Sequence, residues 1–352
     1  LKNISIISTG PIGPGNIISS GNIDLSGTTV TLGPQIVTSG NITITNTGLL
    51  TIPSETFSIA GDFKQIGTGA VSLGTSIVTT GSITFAGDVT VSGNTTLRGS
   101  KGIAIPGSIL PSIAGWNLTL DAEGNPLKIK SLGRADLPFG DLSITTSTLD
   151  LGGDVYSSSS IFINAPITIS ANTTVNSLEG TGGITLLKAV TVVSGSQTPS
   201  FSLYAAGGAA NVNSLGSDAA PLGDVSLIGN ICVFSGNITS TSWVKITGPV
   251  YLLNDKSISL TGKTSVTLDN SLLPNAGLCD LIIQSNGVIT THDLGSSSYP
   301  LREVSLTGSS IELQGNITAQ SLTINGTTCS SGSCSSGTYT TCPSVSSEKK
   351  SR

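Results

Sequence analysis

Residues 30–44 read VTLGPQIVTSGNITI, and residues 71–85 read VSLGTSIVTTGSITF. Residues 225–239 (VSLIGNICVFSGNIT) and 304–318 (VSLTGSSIELQGNIT) repeat the phrase. A chain that restates one strand-turn-strand unit builds a stack of similar coils, not a globule around one pocket. Within the phrase the period is two. In Asn41-Ile42-Thr43-Ile44-Thr45, apolar and hydroxyl side chains alternate. Alternate residues of a strand face opposite sides, so Ile and Val point inward and Thr and Ser outward. Gly-Asn, Ser-Gly and Asn-Gly pairs punctuate these runs at turns. No segment keeps a 3.6-residue apolar period, so essentially no helix is expected.

Two longer periods follow. Gly21, Gly40 and Gly81 hold equivalent places, 19 and then 41 residues apart. That spacing defines a coil of about 20 residues. Residues 131–144 (SLGRADLPFGDLSI), 214–227 (SLGSDAAPLGDVSL) and 293–306 (DLGSSSYPLREVSL) also align, with Pro138, Pro221 and Pro300 separated by 83 and 79 residues. Four coils of about 20 residues account for this second recurrence. An antiparallel sandwich needs turn signals every ~8–12 residues. Registered recurrence of the same phrase favours parallel stacking, where like sits above like. The expected fold class is all-β: a parallel β-helix, or β-solenoid, over residues 1–325. Proline-rich 98–140 and Ala/Gly/Ser-rich 195–222 read as loops or decorations. Residues 326–352 read as a Cys/Ser/Gly-rich mobile tail.

Composition narrows the function. Hydrophobic residues make up 37% of the 352 and charged residues 10%, with a net charge of −5. Recurring Val, Ile and Leu supply an aliphatic core. No basic stripe with interleaved aromatics supports nucleic-acid binding. No apolar run approaches the ~20 residues of a membrane helix. There is no Met, and the stretch from Leu1 does not read as a signal peptide; the expectation is a processed or trimmed chain whose leader is already gone.

At Ser214-Leu215-Gly216, Pro221-Leu222-Gly223-Asp224-Val225-Ser226-Leu227 and Gly236-Asn237-Ile238-Thr239, the chain resembles the filamentous-haemagglutinin-like and autotransporter-passenger repeats of secreted bacterial surface proteins. The resemblance is one of pattern and covers residues 10–325. It implies a right-handed parallel β-helix, extracellular or cell-surface localisation, and adhesive or structural roles.

The chemistry-bearing residues are sparse. Asp136 with Asp141, and Asp150 with Asp154, are the local carboxylate pairs for a polysaccharide-active β-helix enzyme. Turn formation beside Pro138 is the plainer reading of the first pair. His292 lies next to Asp293, which points the wrong way in a strand for a triad. No phosphate loop or regular calcium repeat is present. The expectation is no enzyme, no cofactor and no metal. Eight N-x-[ST] sequons occur, at Asn3, Asn41, Asn94, Asn117, Asn172, Asn237, Asn316 and Asn325. They mark glycosylation sites or simply the turn-plus-strand phrase. Thr29-Thr31 and Thr43-Thr45 suggest an ordered-surface array, which neighbouring coils break with Ser or Asp.

Five cysteines remain. Cys279, Cys329, Cys334 and Cys342 are candidates for disulfides or links between chains, with buried thiols as the alternative. Cys232, inside an apolar strand, suits a buried thiol. Finally, a solenoid carries unpaired strand edges at each end. Ile4 and Ile6 at one end, and Leu322 and Ile324 at the other, are strand-like and carry no helical cap. They are the candidate stacking strands of a head-to-tail homo-oligomer, a secreted structural fibre. An adhesin fragment binding cells or glycans, a polysaccharide-active enzyme and a phage-type tailspike are the alternatives.

Overall fold

Ile4, Ile23, Ile42, Phe63, Ile83 and Ile103 stand one above another, each paired in parallel with the next coil. The chain advances 19 to 21 residues between them, which is one coil. The structure, a computed structural model, describes residues 2–53, 56–178, 181–193, 195, 197–253, 257–275, 279–328, 333–335 and 337–339. Among these there is no helix, and so none long and apolar enough to cross a membrane. The fold is an all-β parallel solenoid, as the phrase predicts. The chain divides into two compact units, Leu1–Lys188 and Ala189–Arg352.

In the first unit each coil gives one strand to each of three rows. The row from Ile4 is joined by a second through Val30, Leu50, Val71, Val89 and Ile109. A third runs through Ile77, Leu97, Leu120, Ile144, Ile163 and Leu186. All these side chains are buried except Ile4, which is half-buried. Outward neighbours such as Thr43 and Thr45 stay half-exposed, so the period-two pattern assigns inside and outside correctly. Each aliphatic side chain brought inside contributes roughly 1.5–3 kcal/mol. Phe63 and Phe85 meet in the core with ring centroids 5.3 Å apart.

The second unit repeats the plan. Its rows pass through Phe201, Val225, Val244, Val266, Ile289 and Ile311, then Ala210, Cys232, Val250, Leu272, Leu294 and Ile317. The third passes through Val190, Leu215, Ile238, Leu260, Ile283, Leu306 and Ile324.

Three expectations change. First, strands run through both stretches read as decorations. Thr95–Gly99, Ile103–Ala104, Ile109–Pro111, Leu118–Asp121 and Leu127–Ile129 lie within 98–140 or at its edge. Phe201–Val212 is a 12-residue strand inside 195–222. Its Ala and Gly residues keep the inward side small where the strand crosses from one row to the next, with a bulge between Ala205 and Ala209. Second, the 79-residue recurrence is not four coils. Coils here are 22 or 23 residues from Ile238 to Leu306. From Leu215 to Leu294 the chain makes three coils and two further strands, so the motif lands on a different row. Third, residues 327–328, 333–334 and 337–339 form antiparallel strands on the last coil, where a tail without strand pattern was expected.

Candidate functional site

The aligned SLG…P segments form the same object three times. A glycine with positive φ (Gly133 +67°, Gly216 +68°, Gly295 +72°) follows an inward leucine. The next four residues close a tight hairpin. Ser217 N donates to Ala220 O and Ala220 N to Ser217 O, both at 3.1 Å. Arg134 with Leu137, and Ser296 with Tyr299, exchange the same two bonds. Proline then returns the chain to its row. Three residues of the next coil, 238–240, lie opposite Leu215 and Leu222, so 217–221 is looped out of an otherwise registered strand. Residues 134–138 are looped out opposite 155–157, and 296–300 opposite 317–319. A Cβ on Gly216 would sit 2.3 Å from Thr239 O, so only glycine fits this turn. The hairpin tips are exposed, and Tyr299 is 54% exposed.

The sequons at the coil corners have a structural task. Asn3 Oδ1 accepts the backbone N–H of Asn22 at 2.9 Å, Asn22 Oδ1 that of Asn41 at 3.0 Å, and Asn41 Oδ1 that of Asp62 at 2.7 Å. Asn94, Asn117 and Asn237 serve Asn117, Asp141 and Ser259 in the same way. Asp62, Asp88, Asp154 and Asp293 are rungs of the same kind, accepting from Ser82, Ser108, Thr174 and Asn316. The requirement is an oxygen one coil away from an amide, and either residue type meets it. The Ser82 amide donating to Asp62 holds its carboxyl below the ordinary aspartate value. Sequence reading missed the Asp rungs; their place just before a strand's first inward residue was the signal.

The candidate acid–base residues are likewise engaged. Asp141 accepts from Ser159 Oγ at 2.7 Å and Ser160 N at 3.2 Å. Asp136 pairs with Arg134 at 3.1 Å inside its hairpin. Asp150 pairs with Lys128 at 2.9 Å. Asp154 accepts from Thr174 N, and the Tyr156 hydroxyl lies 3.4 Å from its other oxygen. Asp293, beside His292, turns to the Asn316 amide. Ser5, Asp24, Thr43 and Lys64 align on one outer row, which breaks any flat threonine array.

Cys232 is buried, and burial pushes its thiol up to about 12. Cys279 and Cys334 are buried too, and burial also raises the Cys334 thiol. Cys329 and Cys342 lie outside the described residues. Among the described residues no disulfide is formed.

An apolar cleft of about 550 Å³ opens where the first row is interrupted. The sheet ending at Ile103–Ala104 and the one beginning at Leu127–Ile129 meet there without pairing. Phe85, Ile105, Pro106 and Pro126 line it, with Lys128 and Asp150 among its lining residues.

The end strands differ from expectation at one end. Ile4 and Ile6 lie on an edge strand, half-buried, paired only with Ile23–Gly27. Leu322 and Ile324 are fully buried. Their strand carries Thr327–Thr328 in antiparallel pairing at Thr323 and Ile324. The carboxyl edge is therefore covered by the chain itself, because Asn325 and Gly326, both at positive φ, turn it back. No family model, curated protein or solved structure matches the chain.

Proposed function

We propose that the protein is a structural β-solenoid of the cell exterior that presents short hairpins to cell-surface glycans or other cells. The observation that carries this reading is the looped-out hairpin repeated at 134–138, 217–221 and 296–300. Its backbone is the same each time, while its sequence changes from RADLP to SDAAP to SSSYP. A fixed frame with variable tips is how scaffolds carry binding residues. The resemblance of the repeats to secreted bacterial surface proteins supports the location. The engagement of Asp136, Asp141, Asp150 and Asp154 in rungs and ion pairs argues for structure over glycan cleavage.

The end-to-end fibre is the second reading. It needs a matching open edge on the last coil, and that edge carries the chain's own strands. Display is therefore preferred. Binding of the purified protein to intact cells and to a glycan array is the test. Retention that falls when 217–221 and 296–300 are both replaced by Gly/Ser sequence supports display. Retention unchanged by that replacement, or turnover of an acidic polysaccharide, overturns it.

A further inference from the structure

The third hairpin differs from the other two in what lies at its foot. Leu272, Leu294 and Ile317 stack on three successive coils, with their side chains buried. The residues before them, Ser271, Asp293 and Asn316, therefore form one outward column, and the residues after them, Leu273, Gly295 and Thr318, form a second. At Gly295 the second column has no side chain, and there the chain leaves its row to make the hairpin. The result is a cavity of about 430 Å³, bounded by both columns and by Ser296 and Ser297. A Cβ on Gly295 would sit 2.3 Å from Thr318 O, so no larger residue can fill the gap. The volume falls in the ~300–1,000 Å³ range of small-ligand sites.

The fold leaves the polar groups of this cavity unused. Asp293 Oδ1 accepts the Asn316 amide at 2.7 Å, which fixes the carboxylate in place. Among the described residues, the other oxygen of Asp293, the carboxamide of Asn316 and the hydroxyls of Ser297 and Thr318 have no hydrogen-bond partner. Leu273 is half-buried and supplies an apolar wall. No Lys, Arg or His is among the lining residues. The other hairpins lack this set. Where Asp293 stands they carry Ser131 and Ser214. Those hydroxyls are spent inside the protein, on Ser108 Oγ at 2.8 Å and Asn213 Oδ1 at 3.1 Å.

We propose that this cavity binds an uncharged sugar ring, the terminal hexose of a neutral glycan. A carboxylate only accepts hydrogen bonds, a carboxamide donates and accepts, and serine and threonine hydroxyls do either. A ring with adjacent hydroxyls and an apolar C–H face matches that mixture and the Leu273 wall. Asp293 makes the strongest contact, because its bonds to sugar hydroxyls are charge-assisted. The same charge, with no cation among the lining residues, repels the carboxylate of a sialic or uronic acid. The inference rests on the reading of the hairpins as display elements, and adds the class of sugar and the residues that hold it.

The test is an array of galactose-, glucose- and mannose-terminated oligosaccharides beside their sialylated and uronate-bearing counterparts, followed by calorimetric titration with the best neutral ligand. The purified chain is expected to bind neutral members and to hold acidic ones at least about ten-fold more weakly. Asp293→Asn keeps an oxygen for the Asn316 amide and removes the charge. It is expected to leave the melting temperature in place and to lose about ten-fold or more in affinity. Preference for acidic glycans, absence of binding to every neutral glycan, or affinity unchanged in folded Asp293→Asn overturns the proposal. Should that variant fail to fold, Ser297→Ala with Thr318→Val removes two hydroxyls that the fold does not use. Weaker binding by that pair supports the site, and unchanged binding overturns it. Cells retained by a chain that binds no neutral glycan would overturn this inference alone. A chain that retains neither cells nor any glycan would overturn the display reading as well.

Discussion

The first and last coils are written in the same phrase and end differently. At Ile4–Ile7 the strand is half-buried and paired on one side. At Ile317–Ile324 the inward residues are buried and the strand is paired on both sides. The inward aliphatic pattern is equally good in both. What separates them is a turn, Asn325-Gly326, that reverses the chain. A repeat thus specifies the coil, and a local turn specifies where the stack stops.

The comparison can be broken by substitutions matched between the two regions. The largest effect is expected in the core. Ile283→Ala, in a fully buried row of the second unit, should cost about 2–5 kcal/mol in chemical denaturation. Ile4→Ala on the half-buried edge should cost well under half of that. Equal losses would mean that the first coil is as well packed as the interior.

Glycines give the next contrast. Gly216→Ala must hold φ +68° with its new Cβ 2.3 Å from Thr239 O, and should cost about 2 kcal/mol or more. Gly13→Ala meets nothing within 4 Å and should change stability by less than about 0.5 kcal/mol. A harmless Gly216→Ala would show that the hairpin is not fixed by its row.

A ladder rung is worth less. Asn41→Ala leaves the Asp62 amide without its acceptor and should cost about 1 kcal/mol, with Asn41→Asp restoring most of it. The smallest effect is expected from acid. The Ser82 amide lowers Asp62, and the Arg302 guanidinium lowers Asp280. A carboxylate lowered in the folded state stabilises above its unfolded value, near pH ~4. That contribution fades as pH falls through the lower folded value. Asp62 and Asp280 are half-buried at the surface and the Arg302 partner is 47% exposed, so solvent screening should keep the loss on titration to low pH slight. A melting temperature that drops sharply between neutral pH and pH ~5 would contradict the assignment.

The sequence made much of this legible. Period-two alternation placed Ile42 and Ile44 inside and Thr43 and Thr45 outside, as found. The recurrence of the phrase distinguished stacked parallel coils from a sandwich, because only stacking puts like above like. The reading went astray where local composition outweighed pattern. Ala and Gly in 201–212 suggested a loop, yet small side chains suit a strand turning between rows. The three SLG…P segments were aligned correctly, but coil length varies, so their spacing did not count whole coils. The antiparallel strands on the last coil were the least legible element. They are two or three residues long, below the length at which alternation shows, and Asn325-Gly326 was the one available signal.

The contrast between the edge strand Ile4–Ile7 and the covered last coil is measured most directly by amide hydrogen exchange on this chain. Slow exchange at 310–313 and 317–324, like that of the interior rows, with fast exchange at 4–7 and 17–19, is the predicted result. Exchange at 310–324 as fast as at 4–7 would show that the last coil is bare and would contradict the covering strands.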